Sequence, residues 1–182
     1  MKLMIASDLH GSAFYTEKLL FKMEQEKPDK LILLGDLLYH GPRNDLPEGY
    51  APKKVIELLN GMKDQLLCVR GNCEAEVDQM VLSFPVLSEF AVLFVDGIRI
   101  YAIHGHKNMD LPFCARDLVL SGHTHVPVLK EEGGIFYGNP GSVAIPKESS
   151  VRGYLVYENG VLTHHGLEEG PLLKPLHILK TM

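Results

Sequence analysis

Five short apolar runs in this chain each end beside a glycine and a side chain able to ligate a metal ion. Leu3–Ala6 leads into Asp8-Leu9-His10-Gly11, and Leu31–Leu34 leads into Gly35-Asp36. Leu66–Val69 runs into Gly71-Asn72-Cys73-Glu74, and Ile98–Ile103 into His104-Gly105-His106. Leu118–Leu120 ends at Gly122-His123-Thr124-His125. Runs of this length and type read as buried strands. Sheets of α/β proteins bind ligands beyond the carboxyl ends of their strands. Glycine there lets the backbone turn sharply or approach a ligand closely. The recurrence therefore predicts one sheet-end site fed by several strands.

The remaining patterns supply the scaffold. Ser12 is placed to cap a helix running to about Glu26, with Leu19, Leu20 and Met23 on one face and Pro28 ending it. A loop punctuated by Pro and Gly spans Tyr39–Ala51. Pro52 then suits the first turn of a second helix, with Val55, Ile56, Leu59 and Met62 inward. A third helix is expected over Glu74–Leu82. The second half reads as hairpins: Phe90–Val95 with Ile98–Ile103 across Asp96-Gly97, Val126–Lys130 with Ile135–Tyr137, and Tyr154–Tyr157 with Val161–His164. The tail Pro171–Met182 is apolar with two prolines, and suits either an extra edge strand or packing on a partner. Helices first and hairpins later predict an α/β chain, a mixed sheet system with helices outside, in one domain over 1–182.

Each motif has an ordinary structural reading when taken alone. Asp-x-His can be a capping Asp and a satisfied His. Gly-Asp and Gly-Asn are common turn pairs. Gly-His-Thr-His is more specific, because two His one residue apart point the same way on extended backbone. All five in sequence, each after a strand, favour a metal centre. Imidazole and carboxylate without thiolate suit manganese, iron, zinc, nickel or cobalt. Seven candidates, Asp8, His10, Asp36, Asn72, His104, His123 and His125, exceed one four-coordinate ion. A carboxylate shared by two ions would account for them, and such a pair clamps a phosphoryl group.

Other polar residues are less informative. His164-His165 reads as an exposed strand end, and His177 as incidental to the tail. Asn139-Pro140-Gly141-Ser142 reads as a turn that could brace the site. Arg70 suits either a phosphate contact or a carboxylate partner. The net charge of −5 argues against bulk nucleic-acid binding. Three cysteines without Cys-x-x-Cys argue against a disulfide framework and for a reducing, cytoplasmic setting. No run approaches the length of a membrane span. A homodimer is the expected assembly.

The order Asp-x-His, Gly-Asp, Gly-Asn-x-Glu, His, Gly-His-x-His resembles the calcineurin-like metallophosphoesterase superfamily. The match spans Asp8 to His125. The short length, Gly-Asn-Cys-Glu, Asn-Pro-Gly-Ser and the His40-Gly41-Pro42-Arg43 loop look closest to its small bacterial and archaeal phosphodiesterases. The resemblance implies a β-sandwich of two mixed sheets flanked by helices, with two divalent metals, most often manganese. Asp8, His10, Asp36 and His125 would hold one ion, and Asp36, Asn72, His104 and His123 the other. A hydroxide between them would attack a small phosphodiester. Asn72 would also contact substrate, with Arg43 and His40 as further contacts. The residue after Asn72 is usually His in the superfamily, where it assists the leaving group. Here it is Cys73, so His106 or His40 is the candidate substitute acid. The superfamily also includes a retromer subunit that serves mainly as a protein scaffold, the alternative role for this chain.

Overall fold

A computed structural model describes residues 1–170 and 172–179. The strands are β1 (Lys2–Ala6), β2 (Lys30–Leu33), β3 (Leu66–Cys68), β4 (Phe90–Val95), β5 (Ile98–Ile103) and β6 (Leu118–Leu120). They continue with β7 (Pro127–Glu132), β8 (Ile135–Pro140), β9 (Gly153–Glu158), β10 (Val161–Gly166) and β11 (Leu176–His177). The helices are α1 (Ala13–Glu26), α2 (Pro52–Asn60) and α3 (Glu76–Val81). One sheet has the order β11-β10-β9-β1-β2-β3 and the other β4-β5-β6-β8-β7. Both are mixed: β1, β2 and β3 run parallel, as do β5, β6 and β8, while β9, β10 and β11 in one sheet and β4 and β7 in the other pair antiparallel.

The alternation along β1 sets the layers. Met4 and Ala6 join the core beneath the helices, with Leu19 and Met23 of α1 and Val55 and Leu59 of α2. Leu3 and Ile5 point the other way, into a second core with Ile100, Ala102, Leu118 and Leu120 of the facing sheet. A strand buried on both faces needs an apolar residue at every position, which is the run seen in the sequence. Fully burying each Leu or Ile contributes about 1.5–3 kcal/mol. The order of layers is helices, sheet, sheet.

Local signals place the helices. The Ser12 Oγ accepts the Tyr15 N–H at 3.2 Å, and Lys27 closes α1 in the left-handed conformation (φ 50°). Pro52 opens α2 without a side-chain cap. The third helix begins two residues later than expected and is only six residues long. Glu74 does not join it, because its carboxylate is turned inward to three backbone N–H groups. Asp78 instead accepts the Ala75 N–H at 2.8 Å and starts the helix there. The hairpin turns Asp96-Gly97, Gly133-Gly134 and Asn159-Gly160 all have positive φ at both residues, the backbone that matches strand twist.

One alternative is met and one expectation changes. The described part of the tail is an edge strand, with Leu176 opposite Leu162 and His177 opposite Val161. Residues 171 and 180–182 of the predicted tail lie outside the described residues. His164 is not an exposed strand end but is 4% exposed, packed against Gly153. Burial and the neighbouring His165 push its pKa down from 6.5 to about 4. The unfolded chain then binds a proton that the folded chain refuses, so stability is lost as pH falls from 6.5 towards 4. We expect on the order of 2–3 kcal/mol to be lost across that window. Denaturant melts of wild type and His164→Gln at several pH values check this; identical acid sensitivity in both would rule it out. Among the described residues, no helix is long and apolar enough to cross a membrane.

Candidate metal centre

The centre forms where β1, β2, β3, β5 and β6 end. Asp8 and His10 follow β1, Asp36 follows β2, Asn72 follows β3, His104 follows β5, and His123 and His125 follow β6. Asp8, His10, Asp36, His104 and His125 are all buried. The Asp8 N–H donates to the Gly35 carbonyl at 3.1 Å, and the His10 N–H to the Asp36 carbonyl at 2.9 Å. The first two loops are thereby laced together.

Five of the seven candidate ligands sit in the left-handed backbone region: Asp8 (φ 59°), His10 (45°), Asp36 (56°), His123 (66°) and His125 (61°). Non-glycine residues visit this region rarely and at a cost of about 1–2 kcal/mol each. Close approach explains two of the glycines. A Cβ on Gly71 would overlap the Asp36 and Glu74 carboxylates, and one on Gly122 would overlap Ser7 and crowd Asp8.

Three histidines are oriented by the backbone. His10 Nδ1 donates to the Tyr39 carbonyl (2.8 Å), His104 Nδ1 to that of Leu34 (2.6 Å) and His125 Nδ1 to that of Ile145 (2.5 Å). A carbonyl can only accept, so each neutral ring carries its proton on Nδ1 and presents the Nε2 lone pair inward. His10 Nε2 and His125 Nε2 lie 3.2 Å apart, facing Asp8 Oδ1 at 3.5 and 3.2 Å. Asp8 Oδ1 has no hydrogen-bond partner. Burial alone would raise the Asp8 pKa, but its contacts with His10 and His125 hold it well below the usual carboxylate range. Two lone pairs and an anionic oxygen converging without a donor form a site for a cation.

A second donor group adjoins the first. His104 Nε2 is 3.1 Å from Asn72 Oδ1 and 3.6 Å from Asp36 Oδ1, while Asp36 Oδ2 lies 3.8 Å from His10 Nε2. The two Asp36 oxygens thus face different donor groups. The His123 ring stands 5.1 Å from that of His104, and the His123 backbone N–H donates to Asp8 Oδ2 at 3.0 Å. Asp8, His10 and His125 present ligand atoms within 4.8 Å of one another, as do Asp8, Asp36 and His104. These nitrogen and oxygen sets fit divalent transition metals. Cys73 also reaches His10 and Asp36. Burial, then the Asp36 charge, push its thiol pKa far up, so it is a neutral thiol.

Supporting residues surround this set. Glu74 accepts the N–H groups of Asp36 (2.8 Å), Leu37 (2.7 Å) and Gly71 (2.5 Å). The Ser142 Oγ donates to the Asp8 carbonyl at 2.8 Å and accepts the Ile145 N–H at 2.8 Å. Asn139 Nδ2 donates to the Gly122 carbonyl at 2.8 Å. The Asn139–Ser142 turn therefore does brace the centre. Arg70 lies 3.9 Å from Glu89 and donates to the Glu74 carbonyl at 3.2 Å, which makes it a structural cation. Sequence reasoning gave Glu74 no role; its place beside Asn72 carried only a motif match.

A cavity of about 490 Å³ opens over the centre. Its walls include His10, Asp36, Asn72, Cys73, His123 and His125, with Arg43 and Lys147 further out. His40 and His106 do not line it. His40 packs edge-on to Tyr39 and Tyr50, and His106 tilts against His104 and His123.

Two mixed sheets whose strand ends gather His, Asp and Asn around a surface cavity define a phosphoesterase of the metallophosphoesterase type. The calcineurin-like phosphoesterase superfamily domain matches residues 1–160. The chain belongs to that superfamily and is a phosphoesterase. It is 44% identical over 181 residues to phosphodiesterase YfcE of Escherichia coli (strain K12), covering 98% of both chains. The solved structure of YfcE, described as a phosphoesterase from E. coli, superposes with a TM-score of 0.94 at 43% identity, covering 98% of this chain and 100% of that one. Vacuolar protein sorting 29 of Cryptosporidium parvum shares the fold, with a TM-score of 0.65 at 17% identity over 97% of each chain.

Proposed function

We propose that this chain is a cytoplasmic, divalent-metal-dependent phosphodiesterase that hydrolyses a P–O bond of a small phosphodiester. The observation that carries the reading is the convergence of three backbone-oriented histidines on Asp8 and Asp36. Asp8, His10, Asp36 and His125 would hold one ion, and Asp36, Asn72, His104 and His123 a second. Manganese is the preferred pair, with iron, zinc, nickel and cobalt suited to the same donors. Two divalent ions held by these residues would polarise phosphoryl oxygens and supply a reactive water at neutral pH. Free thiols at Cys68, Cys73 and Cys114 support a reducing compartment.

The chain's own residues set the rest. Asn72 Oδ1 orients towards His104, while its Nδ2 donates to Cys73 Sγ at 3.2 Å, on the cavity side. Cys73 holds Asp36 through its N–H, which donates to Asp36 Oδ1 at 2.9 Å. Its neutral thiol brings no positive charge and is a weak donor to a departing oxygen. Burial, with His104, Lys107 and His123 close by, lowers the pKa of His106 and disfavours its protonated form as well. The leaving group must therefore depart largely unaided, which favours activated aryl diesters. The 44% identity to a phosphodiesterase over 98% of both chains favours catalysis over the scaffold role.

A panel under several divalent metals tests this. Bis-p-nitrophenyl phosphate should turn over faster than alkyl monophosphates with manganese, and chelation should abolish both rates. Cys73→His should raise the alkyl rate about 100-fold, the low end of what a positioned acid contributes. Faster alkyl monoester hydrolysis by wild type, or chelator-resistant turnover, would overturn the reading. His106→Ala and His40→Ala with unchanged rates would remove both from the chemistry.

A further inference from the structure

The cavity is deeper than its reactive end. His10 and Asp36 are buried at its floor, whereas Arg43 and Lys147 line it from exposed positions, so the two cations mark its mouth. They come from different loops, Arg43 after β2 and Lys147 after β8. Most arginines and several lysines here are paired, as Arg99 with Asp117 and Lys107 with Glu89. Neither Arg43 nor Lys147 has an ion-pair partner among the described residues.

Both loops fix the backbone that carries their cation. Asn44 N–H donates to the Gly41 carbonyl at 3.2 Å and Asn44 Nδ2 to the His40 carbonyl at 2.8 Å, so Pro42 and Arg43 form the tip of a closed turn. The Lys147 N–H donates to the carbonyl of His125 at 3.2 Å. The Ser150 Oγ spans the His125 (3.3 Å) and Lys147 (2.6 Å) carbonyls, and Glu148 (φ 53°) and Ser149 (φ 57°) between them are left-handed. A strained loop tied to a ligand of the metal centre is an expensive way to place an ordinary surface lysine.

The scissile phosphodiester carries one negative charge and belongs at the cavity floor. Two unpaired cations at the mouth exceed its needs. A carboxylate would occupy one of them. A terminal phosphate carries about −1.5 to −2 at neutral pH and suits both, Arg through its planar fork and Lys as a point charge. Resting on the phosphodiesterase reading above, we propose that the substrate is a phosphodiester whose retained arm bears a second, terminal phosphate gripped by Arg43 and Lys147. The two residues are specificity determinants and take no part in bond cleavage.

Two esters with the same scissile centre test this: thymidine 5′-(p-nitrophenyl phosphate) and its 3′-phosphorylated counterpart, with the manganese-loaded enzyme. We expect the 3′-phosphate to lower KM about 10- to 100-fold, the worth of charge-assisted hydrogen bonds. Lys147→Gln should bring the ratio of the two KM values to within about threefold of unity, and Lys147→Arg should keep most of it. Calorimetric titration of the same protein with thymidine 3′,5′-bisphosphate and thymidine 5′-monophosphate gives the matching affinity ratio without turnover. Equal KM values, equal affinities, or a preference that survives Arg43→Gln/Lys147→Gln would overturn the proposal. Hydrolysis of neither ester would count against the phosphodiesterase reading, and the affinity ratio would still decide the role of the two cations.

Discussion

Asp36→Asn lowers turnover of bis-p-nitrophenyl phosphate by about a thousandfold or more, since losing about 4 kcal/mol of electrostatic stabilisation costs that factor. The substitution is nearly isosteric. Its side-chain oxygen can still accept the Cys73 N–H that Asp36 accepts now at 2.9 Å. What disappears is the charge between the two donor groups, one oxygen 3.6 Å from His104 and the other 3.8 Å from His10. Metal content measured by elemental analysis should fall with the rate. The melting temperature of the metal-free protein should hold or rise, because Asp8, Asp36 and Glu74 crowd like charges. Near-normal turnover in a folded Asp36→Asn variant would remove Asp36 from the chemistry.

Glu74→Ala acts through the backbone and is the largest stability effect we expect. The variant strands three buried N–H donors, those of Asp36, Leu37 and Gly71. An unsatisfied buried donor costs about 1–3 kcal/mol, so the sum is on the order of 4 kcal/mol. For a chain of this size that is about 10 °C in Tm. Asp36 would also lose its fixed direction, and metal affinity should drop about 10- to 100-fold, as for other supporting residues around a metal. Thermal melts and metal titration measure both; a change in Tm alone, with full metal affinity, would show that the carboxylate supports the fold and not the centre.

The strand ends could be read from the residues because both causes are local. An apolar run announces a buried strand, and the polar residue after it announces what that strand delivers. Leu31–Leu34 into Gly35-Asp36 needs nothing further. Glu74 could not be read that way. Its partners Asp36 and Leu37 lie 38 and 37 positions away in sequence, and only the parallel pairing of β2 with β3 brings them together. The same cause shortened α3, since a residue spent on tertiary bonds cannot open a helix. His164 was misread because its strand pairs with β9 and the tail folds back on it, the Leu173 N–H donating to His164 Nδ1 at 3.4 Å. Lys147 was invisible because its loop is brought to the cavity by contacts distant in sequence, the Lys147 N–H on the His125 carbonyl and the Ile145 carbonyl on His125 Nδ1.

The left-handed backbone at Asp8, His10, Asp36, His123 and His125 bears on transplantation. Copying the seven side chains onto the sheet edge of another protein would transfer the donors without their aim. A recipient loop relaxes towards ordinary torsions and swings each imidazole or carboxylate away from the shared focus. The portable unit is larger. It comprises the five turns, the glycines whose missing Cβ atoms make room at Asp36 and Asp8, and the anchors Glu74, Asn139 and Ser142 that hold those turns closed. Drift at any of these anchors would dismantle the centre while every ligand remained in the alignment, so an intact motif in a distant homologue is weak evidence of an intact enzyme.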